Sequence, residues 1–434
     1  MRYGLRDVLT LASTPGGRLR LLEGANQYAW PLLYRVASFH RRTVARRCRV
    51  VCVVGTFGKT TTPRAAVAAL GLCADRAQRG NCWSLLAKAV LAIRPADRYA
   101  VVEAGISGPG QMARYERMIC PDVAVVTCIG SEHHTSLGTL DAAREEKSRM
   151  LGRLPRAGLA VLNGDDAHVV RMAGRTRARV VRYGFVESND VRASGVEMDW
   201  PRGMRFRLHA QGEVRQLAIR LIGRHMVQSI LAAATLALAE GVCLNEVVLR
   251  LERLPPTPGR LEPVPLADGA FVLRDDFKSA EETIESALDT LAEVPAPRRI
   301  AVLGDVDEPR GSQGPVYRRL GARTAGVASL MVIVGGSKCF QRYAAGAARA
   351  GMARQAMVWA GDSALEAARV LRDGIRPGDV VLVKGRHNQR LERVALALQG
   401  RPVRCGVGIC RYEEVTCTRC PMLTRGWDGR RIVT

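Results

Sequence analysis

A glycine-rich loop between two apolar segments most constrains what this chain can fold into. Residues 49–55 read as a buried strand, and a helix is predicted from about Pro63. A loop at a helix N-terminus collects backbone N–H donors that suit phosphate oxygens, while a lysine and a hydroxyl in it reach the β/γ-phosphates and Mg²⁺. Only two residues separate the first glycine from the Gly-Lys pair, against four in the general P-loop. The sequence therefore predicts a shortened nucleotide-phosphate loop, whose residues are Gly55, Thr56, Phe57, Gly58, Lys59, Thr60 and Thr61.

Lysine is rare in this chain, and its positions are informative. Of 65 basic residues only six are lysine. A lysine amine can lose its proton and react, which an arginine guanidinium cannot. The six lysines are therefore expected to include residues with a chemical role. At each position the alternative is a solvated surface lysine. Three of them fall in motifs found on other grounds, namely Lys59, Lys147 and Lys384.

The composition is that of a globular protein with a strong positive charge. The 434 residues are 47% hydrophobic and carry a formal net charge of +24. This length allows two or three domains with full-sized cores. Since there is no apolar run of about 18 residues and no signal-peptide pattern, we expect a cytoplasmic location. The charge indicates an anionic partner: a nucleotide, a polyanionic substrate, an acidic lipid surface or nucleic acid.

The first fifty residues concentrate part of this charge. They contain ten arginines against Asp7 and Glu23, and residues 30–47 combine an apolar stripe with a basic face. A helix with this pattern can lie on an anionic membrane, which would make the protein membrane-peripheral through residues 1–50. The same pattern is also typical of a basic helix that caps its own domain.

Strand-like and helix-like segments alternate along most of the chain, which predicts an α/β fold with mostly parallel sheets. The Pro- and Gly-rich stretch 255–259 reads as a hinge. We expect four parts along the chain. They are a basic helical extension (1–47), a P-loop-type central domain (48–256), a Rossmann-like C-terminal domain (257–400) and a cysteine-rich tail (401–434).

Three polar side chains follow the loop within the predicted central domain. Glu103 ends a predicted strand, His133 follows another, and Lys147 stands fourteen residues beyond His133 in a predicted helix. An acidic side chain at the carboxyl end of a strand beside a P-loop is well placed as a metal ligand or a base. The histidine pair His133-His134 could equally be made of ordinary capping residues.

Together these segments resemble the Mur ligase family, the ATP-dependent amide ligases of peptidoglycan synthesis. Residues 55–61 match the family's short loop at every position, and residues 103–110 and 121–133 resemble two further family segments. The resemblance implies that the chain binds ATP and Mg²⁺. It implies that Thr60 and Glu103 hold one Mg²⁺, and that His133 and a carbamylated Lys147 help to hold a second.

The resemblance continues into the second half of the chain. The motifs and their spacing are most similar to those of the family member that adds D-alanyl-D-alanine. It implies that Arg260 approaches the γ-phosphate, and that Asp275 and Asp276 contact the ribose or phosphates of ATP. Domain closure would then assemble the site. Further matches lie at Leu303-Gly304-Asp305 and at Lys384-Gly385.

The chain departs from the family pattern in three places. Only some fifty residues precede the loop, where the family has a UDP-sugar-binding domain, so we expect a non-standard carboxylate substrate. Met226 and Ser229 replace two asparagines that face adenine in the family. Residues 278–282 replace an element of the acceptor site, so we expect altered acceptor recognition.

Four of the twelve cysteines crowd the tail. Their spacing, which ends in a Cys-x-x-Cys pair, would suit a structural Zn²⁺ site. An iron–sulfur cluster and unligated or redox-active thiols are the alternatives. The four residues are Cys405, Cys410, Cys417 and Cys420.

These features predict an ATP-dependent ligase that joins a small-molecule or polymer-end carboxylate to an amine, such as an amino acid, through an acyl phosphate. The expected catalytic residues are Lys59, His133, Lys147 and Arg260. Two other classes remain open, namely a basic P-loop NTPase that binds nucleic acid through a zinc tail and a non-catalytic pseudo-ligase that partners another enzyme. A nucleic-acid-binding NTPase would call for aromatic stacking platforms or a recognition helix, and the aromatic content of only 5% argues against the platforms.

Overall fold

The computed structural model describes residues 28–73, 81–131, 134–309, 311–410, 415–420 and 422–426, with a few isolated positions before residue 28. The chain divides into two compact units, of which the first is Asn26–Pro255 and the second contains Pro256–Thr434. His133, a predicted catalytic residue and metal ligand, lies outside the described residues. The domain bounds expected from the sequence stay predictions.

An eight-stranded sheet forms the centre of the first unit, in the order β2-β1-β3-β4-β5-β6-β7-β8. Strands β1 to β6 pair in parallel, and β6 to β8 pair antiparallel. The strands are β1 (Arg49–Val54), β2 (Tyr99–Glu103), β3 (Val123–Val126), β4 (Leu159–Asn163), β5 (Arg179–Gly184), β6 (Val191–Asp199), β7 (Gly203–Ala210) and β8 (Glu213–Ile219).

Helices cover this sheet and connect its strands. They are α1 (Trp30–Arg42), α2 (Thr61–Ala69), α3 (Trp83–Leu91), α4 (Gln111–Ile119), α5 (His134–Leu137), α6 (Leu140–Gly152), α7 (Ala167–Arg171), α8 (Arg224–Ala239) and α9 (Leu244–Glu252). The valine-rich strands β1 and β3 are buried along almost their whole length, as expected for parallel strands that are covered on both faces. The alanine-rich helix α8 is buried over most of its length and packs against α2, the helix that follows the phosphate loop.

Helix α1 packs against α3 and α4 of the same unit. The Trp30 ring meets Trp83 edge-on, with 5.3 Å between the ring centroids. Arg41 is buried and donates hydrogen bonds to Ile119 O and, at 2.7 Å, to the Asp122 carboxylate. A basic side chain is thus used to anchor the helix, and α1 belongs to the same unit as the sheet.

The second unit has a six-stranded sheet in the order β13-β12-β11-β14-β10-β9, in which only the edge strand β9 is antiparallel. Its strands are β9 (Glu262–Pro265), β10 (Phe271–Asp275), β11 (Arg299–Leu303), β12 (Leu330–Ile333), β13 (Met357–Trp359) and β14 (Val380–Lys384). Its helices are α10 (Glu281–Glu293), α11 (Gln313–Ala325), α12 (Ser337–Arg349), α13 (Ala364–Arg372), α14 (Glu392–Leu398) and α15 (Met422–Arg425). The predicted α/β class with mostly parallel sheets is confirmed.

In the part of the chain that the structure describes, no helix has both the length and the apolar character needed to cross a bilayer.

Candidate active site

The phosphate loop of the first unit begins where three strands end side by side. Val53 pairs with Glu103 of β2, and Val54 pairs with Val126 of β3. The loop at residues 55–61 therefore starts between Glu103 and the segment that follows β3. The carboxyl edge of a parallel sheet is where ligands bind in open α/β folds.

Gly55 and Gly58 allow the tight course of this loop. Gly55 has φ of +148°, and a Cβ placed there would lie 1.9 Å from Thr127 Oγ1. Gly58 has φ of +79°, and a Cβ there would lie 3.2 Å from Ser229 Oγ. Both backbone conformations are ones that residues with a side chain rarely adopt.

A Gly55→Ala substitution is expected to destabilise the first unit by about 2 kcal/mol and to weaken ATP binding at least about tenfold. The added methyl group would push Thr127 away and deform the loop. Urea unfolding and titration with a fluorescent ATP analogue measure the two effects. Gly174→Ala is the matched control, because a Cβ at Gly174 meets no atom within 4 Å. Equal effects of the two substitutions would contradict this role of Gly55.

Hydrogen bonds from the segment after β3 set the shape of the loop. Thr127 Oγ1 donates to Phe57 O at 2.6 Å, and Thr56 N donates to Cys128 O at 2.8 Å. Gly130 N donates to Thr56 Oγ1 at 2.8 Å. The protein's own contacts thus arrange the loop for a phosphate ligand.

Two of the six lysines converge on Thr56 of this loop. Lys59 Nζ donates to the Thr56 carbonyl oxygen, and Lys147 Nζ donates to Thr56 Oγ1 at 2.7 Å. The Lys147 side chain comes from α6 and is only 3% exposed. Two amines beside one loop residue create a positive potential that suits a polyphosphate.

Glu103 is held in place by Asn81, a residue that no sequence motif marks. Asn81 Nδ2 donates to Glu103 Oε1 at 2.6 Å, and Asn81 O accepts from Gly105 N at 2.7 Å. Nothing in the pattern around Asn81 distinguishes it from a loop residue. The Glu103 carboxylate and the Thr60 hydroxyl are hard oxygen ligands of the kind that Mg²⁺ prefers, so this donor set fits the ion.

Two further polar residues brace the segment that follows β3. Asn163 Nδ2 donates to Thr127 O at 2.8 Å, and Ile129 N donates to Asp166 Oδ2 at 2.8 Å. No pattern in the sequence indicates a role for these two side chains. They fix the residues that shape the phosphate loop.

Met226 and Ser229, which stand where the family has two adenine-facing asparagines, both pack against the phosphate loop or the start of α2. Ser229 Oγ lies against Gly58, as described above, and Thr61 Oγ1 is 3.9 Å from Met226 Sδ. Both side chains are buried. The structure therefore places these substitutions next to the loop and the start of α2.

The second unit contains the other predicted nucleotide-binding residues. The Arg260 guanidinium lies 4.6 Å from the centroid of the Phe277 ring, and this ring stacks on His387 at 4.3 Å. Gly259, at φ of +65°, approaches Asp276 so closely that a Cβ would lie 2.8 Å from Asp276 Oδ1. The turn that carries Arg260 is thus packed directly on the Asp276 segment.

Asp275 and Asp276 have different partners. Lys384 Nζ lies 3.0 Å from Asp275 Oδ2 and also donates to Lys278 O, and burial lowers the pKa of Lys384. Arg274 holds Asp276 with two hydrogen bonds of 2.9 and 3.1 Å. Burial opposes the charge of Arg274, but Asp276, Glu262 and Glu392 outweigh burial and raise its pKa. Arg274 and Glu392 were not identified from the sequence.

His387 gives the second unit a pH dependence. Burial, with Arg390, Arg260 and Lys278 nearby, lowers the pKa of His387 to about 3. Below its ordinary pKa of about 6.5 the unfolded chain takes up a proton that the folded unit does not. The free energy of unfolding should therefore fall by up to about 1.4 kcal/mol per pH unit as the pH drops below about 6.5.

A His387→Gln variant is expected to lose this contribution. Urea unfolding of both proteins between neutral and mildly acidic pH measures it. A wild-type pH dependence that the variant retains in full would show that His387 is not its source.

The tail is held on α14, and its cysteines are thiols. Cys417 N donates to Glu392 Oε1 at 2.7 Å, and Cys405 Sγ lies 3.6 Å from the Arg393 guanidinium. Burial raises the pKa of Cys420, as do its neighbours Cys405 and Cys410. Among the described residues, which include all four tail cysteines, no group of three or more His, Cys, Asp or Glu side chains could hold a metal ion, so the zinc hypothesis receives no support.

Comparison with known proteins matches both units to one family. The Mur ligase middle domain matches residues 53–237, and the Mur ligase glutamate ligase domain matches residues 259–387. The UDP-N-acetylmuramoyl-tripeptide–D-alanyl-D-alanine ligase of Mycobacterium tuberculosis is 30% identical over 383 residues, which cover 82% of this chain and 74% of that protein. The enzyme of the same name from Escherichia coli is 28% identical over 286 residues, 64% of this chain and 63% of its own length.

Solved structures show the same fold. MurF from Acinetobacter baumannii superposes with a TM-score of 0.74 at 23% identity, covering 85% of this chain and 80% of that one. MurF ligase from Thermotoga maritima in complex with ADP gives a TM-score of 0.74 at 20% identity, covering 86% and 84%. With both domain types matched in order, the chain belongs to the Mur ligase family.

Proposed function

We propose that this Mur ligase activates a substrate carboxylate with ATP and joins it to an amine through the residues described above. Mur ligases are ATP-dependent amide ligases of peptidoglycan-precursor synthesis. The observation that carries the assignment of roles is the convergence of Lys59 and Lys147 on Thr56, inside a loop that begins beside Glu103.

In this proposal the first unit holds the triphosphate. The loop N–H groups and Lys59 bind the phosphate oxygens, and they stabilise the charge that develops on them as the γ-phosphoryl group is transferred. Thr60 and Glu103 would hold Mg²⁺, which would supply further neutralisation of the phosphate charge. Asn81 positions the Glu103 carboxylate for this role.

The chemistry has two steps. An oxygen of the substrate carboxylate attacks the γ-phosphorus, the bond to the β-phosphate oxygen breaks, and ADP leaves. The amine then attacks the carbonyl carbon of the acyl phosphate and loses a proton, and inorganic phosphate leaves as the amide forms.

Lys147 acts in this proposal as a carbamate, formed when its amine adds to CO₂ with loss of a proton. The side chain would then present an anionic oxygen group close to Thr56 in place of the ammonium group. A second Mg²⁺ would be held by this group and by His133. An arginine cannot form a carbamate, and this explains a buried lysine in a chain that otherwise uses arginine.

The second unit contributes nucleotide contacts. We assign Arg260 to the γ-phosphate, with Phe277 as the surface on which its guanidinium rests. Asp275 and Asp276 are assigned to the ribose or phosphates of ATP. Arg274 keeps the Asp276 carboxylate in one orientation through its two hydrogen bonds.

For the substrates, we propose a small-molecule or polymer-end carboxylate and an amino acid or dipeptide as the amine. The relatives named above are UDP-N-acetylmuramoyl-tripeptide–D-alanyl-D-alanine ligases, which supports a small peptide-like acceptor. The altered element at residues 278–282 supports a changed acceptor preference.

An ADP-release screen over pools of carboxylates and amines tests this proposal. We expect ADP release to require both a carboxylate and an amine. The Lys59→Met substitution should lower the rate of ADP release at least about a hundredfold. Lys88→Met, at an exposed position on α3, is the matched control and should retain full activity. ADP release stimulated by nucleic acid without an amine would instead indicate an NTPase. ATP binding without turnover on any pool would indicate a pseudo-ligase.

A further inference from the structure

Helix α1 and the tyrosine two residues before it expose a row of large apolar side chains. Tyr28, Leu32, Val36 and Phe39, which we call the apolar stripe, are 81%, 65%, 45% and 68% exposed. Their spacing of four, four and three residues places them on one face of a helix. Val44, just beyond the helix, is 44% exposed.

The opposite face of α1 fixes the direction of this stripe. Trp30, Ala37 and Arg41 are buried against the rest of the first unit. The Arg41 guanidinium alone donates to three backbone carbonyls and to Asp122. The stripe therefore faces away from the unit because the helix is anchored on its other side.

Such clustering of exposed apolar residues is unusual in this chain. Among the described residues eleven large hydrophobic side chains are exposed, and five of them lie between Tyr28 and Val44. Single exposed apolar residues are normal on a protein surface, whereas a contiguous apolar row marks a surface that binds something.

The charges around the stripe indicate what it binds. Arginines 35, 42, 46 and 47 are exposed next to it, and residues 24–74 contain no aspartate or glutamate. Arg42 reaches α4, where its guanidinium donates to Arg117 O. An apolar face bordered by arginines on a surface helix is the pattern of a helix that lies in the interface of an anionic bilayer.

We propose that α1 docks this ligase on an anionic lipid surface, with the apolar stripe inserted between headgroups and the surrounding arginines contacting lipid phosphates. Binding needs both contributions, because either a few apolar side chains or a few positive charges alone give only weak attachment. The proposal does not depend on which carboxylate and amine the enzyme joins.

Vesicle sedimentation with the full chain tests the proposal. Vesicles of equal parts phosphatidylcholine and phosphatidylglycerol should bind the protein, and pure phosphatidylcholine vesicles should bind it at least about tenfold more weakly, since each arginine near an anionic surface contributes about fivefold. Added salt should weaken the binding to the anionic vesicles.

The double variant Leu32→Ser/Phe39→Ser should lower the partition coefficient at least about tenfold. Val214→Ser/Leu249→Ser is the matched control, because these side chains are 49% and 54% exposed elsewhere on the first unit and should not matter. Circular dichroism and ADP release in solution, unchanged in both variants, show that the fold is intact.

Three results would overturn the proposal. The first is an absence of wild-type binding to the anionic vesicles at low salt, and the second is binding that the stripe variant retains. The third is light scattering that shows a dimer for the wild type and a monomer for the stripe variant, with no vesicle binding by either. That result would show that the stripe is an interface between two copies of the chain.

Discussion

A Lys147→Arg variant is expected to release ADP at least about a hundredfold more slowly than the wild type, a loss in the range seen when a group that stabilises transition-state charge is removed. Arginine keeps the positive charge of an unmodified lysine, but two properties are lost. A guanidinium is larger than the amine that is packed at 3% exposure against Thr56, and it cannot form a carbamate. If Lys147 served only as a positive charge, arginine would be a mild change.

The control for this substitution is Lys88→Arg, at an exposed position on α3, which should keep wild-type activity. Incubation with ¹³C-labelled bicarbonate provides a second readout. A carbamate carbonyl signal is expected in the ¹³C NMR spectrum of the wild type and not in that of Lys147→Arg. Full activity of Lys147→Arg would contradict the metal-site role of Lys147, and activity without a carbamate signal would contradict carbamylation.

An Arg393→Ala variant is expected to lose about 3 kcal/mol or more of the stability of the second unit. The guanidinium is 1% exposed and donates to the carbonyl oxygens of four residues. Its removal leaves these buried acceptors without their donor and leaves a cavity under the tail. The four acceptors are Gln389 O, Arg390 O, Cys405 O and Val407 O.

Urea unfolding measures this loss, and amide hydrogen exchange locates it. We expect faster exchange in residues 403–407 and in α14, because Arg393 joins these two segments. Arg369→Ala is the matched control, since this arginine pairs with Glu366 on the exposed surface of α13 and should contribute less than about 1 kcal/mol. Equal effects of the two substitutions would show that the tail is held mainly by other contacts.

The two sheets and the phosphate loop were predictable from the sequence because they depend on local patterns. Valine-rich runs such as residues 49–54 identify buried parallel strands, and the spacing within residues 55–61 leaves few alternatives to a phosphate loop. Glu103 was recognisable because it ends a strand. These features need only the order of residues along the chain.

The residues that hold the site in shape were not predictable, because their roles depend on contacts between distant segments. Asn81 contacts Glu103, 22 residues away, and Glu392 contacts Arg274, 118 residues away. Neither side chain differs by type or spacing from a surface polar residue. The outward direction of the α1 stripe likewise depends on the burial of Trp30 and Arg41, which the helix pattern alone does not reveal.

The most direct test of the account is an oxygen-transfer experiment with a carboxylate substrate labelled with ¹⁸O in both carboxylate oxygens. If the enzyme forms an acyl phosphate and then an amide, each inorganic phosphate released must carry one ¹⁸O from the substrate, which mass spectrometry detects. If phosphate instead acquires its new oxygen from water while both labels stay in the carboxylate, the chain hydrolyses ATP without activating the acid, and the proposed ligase mechanism is wrong.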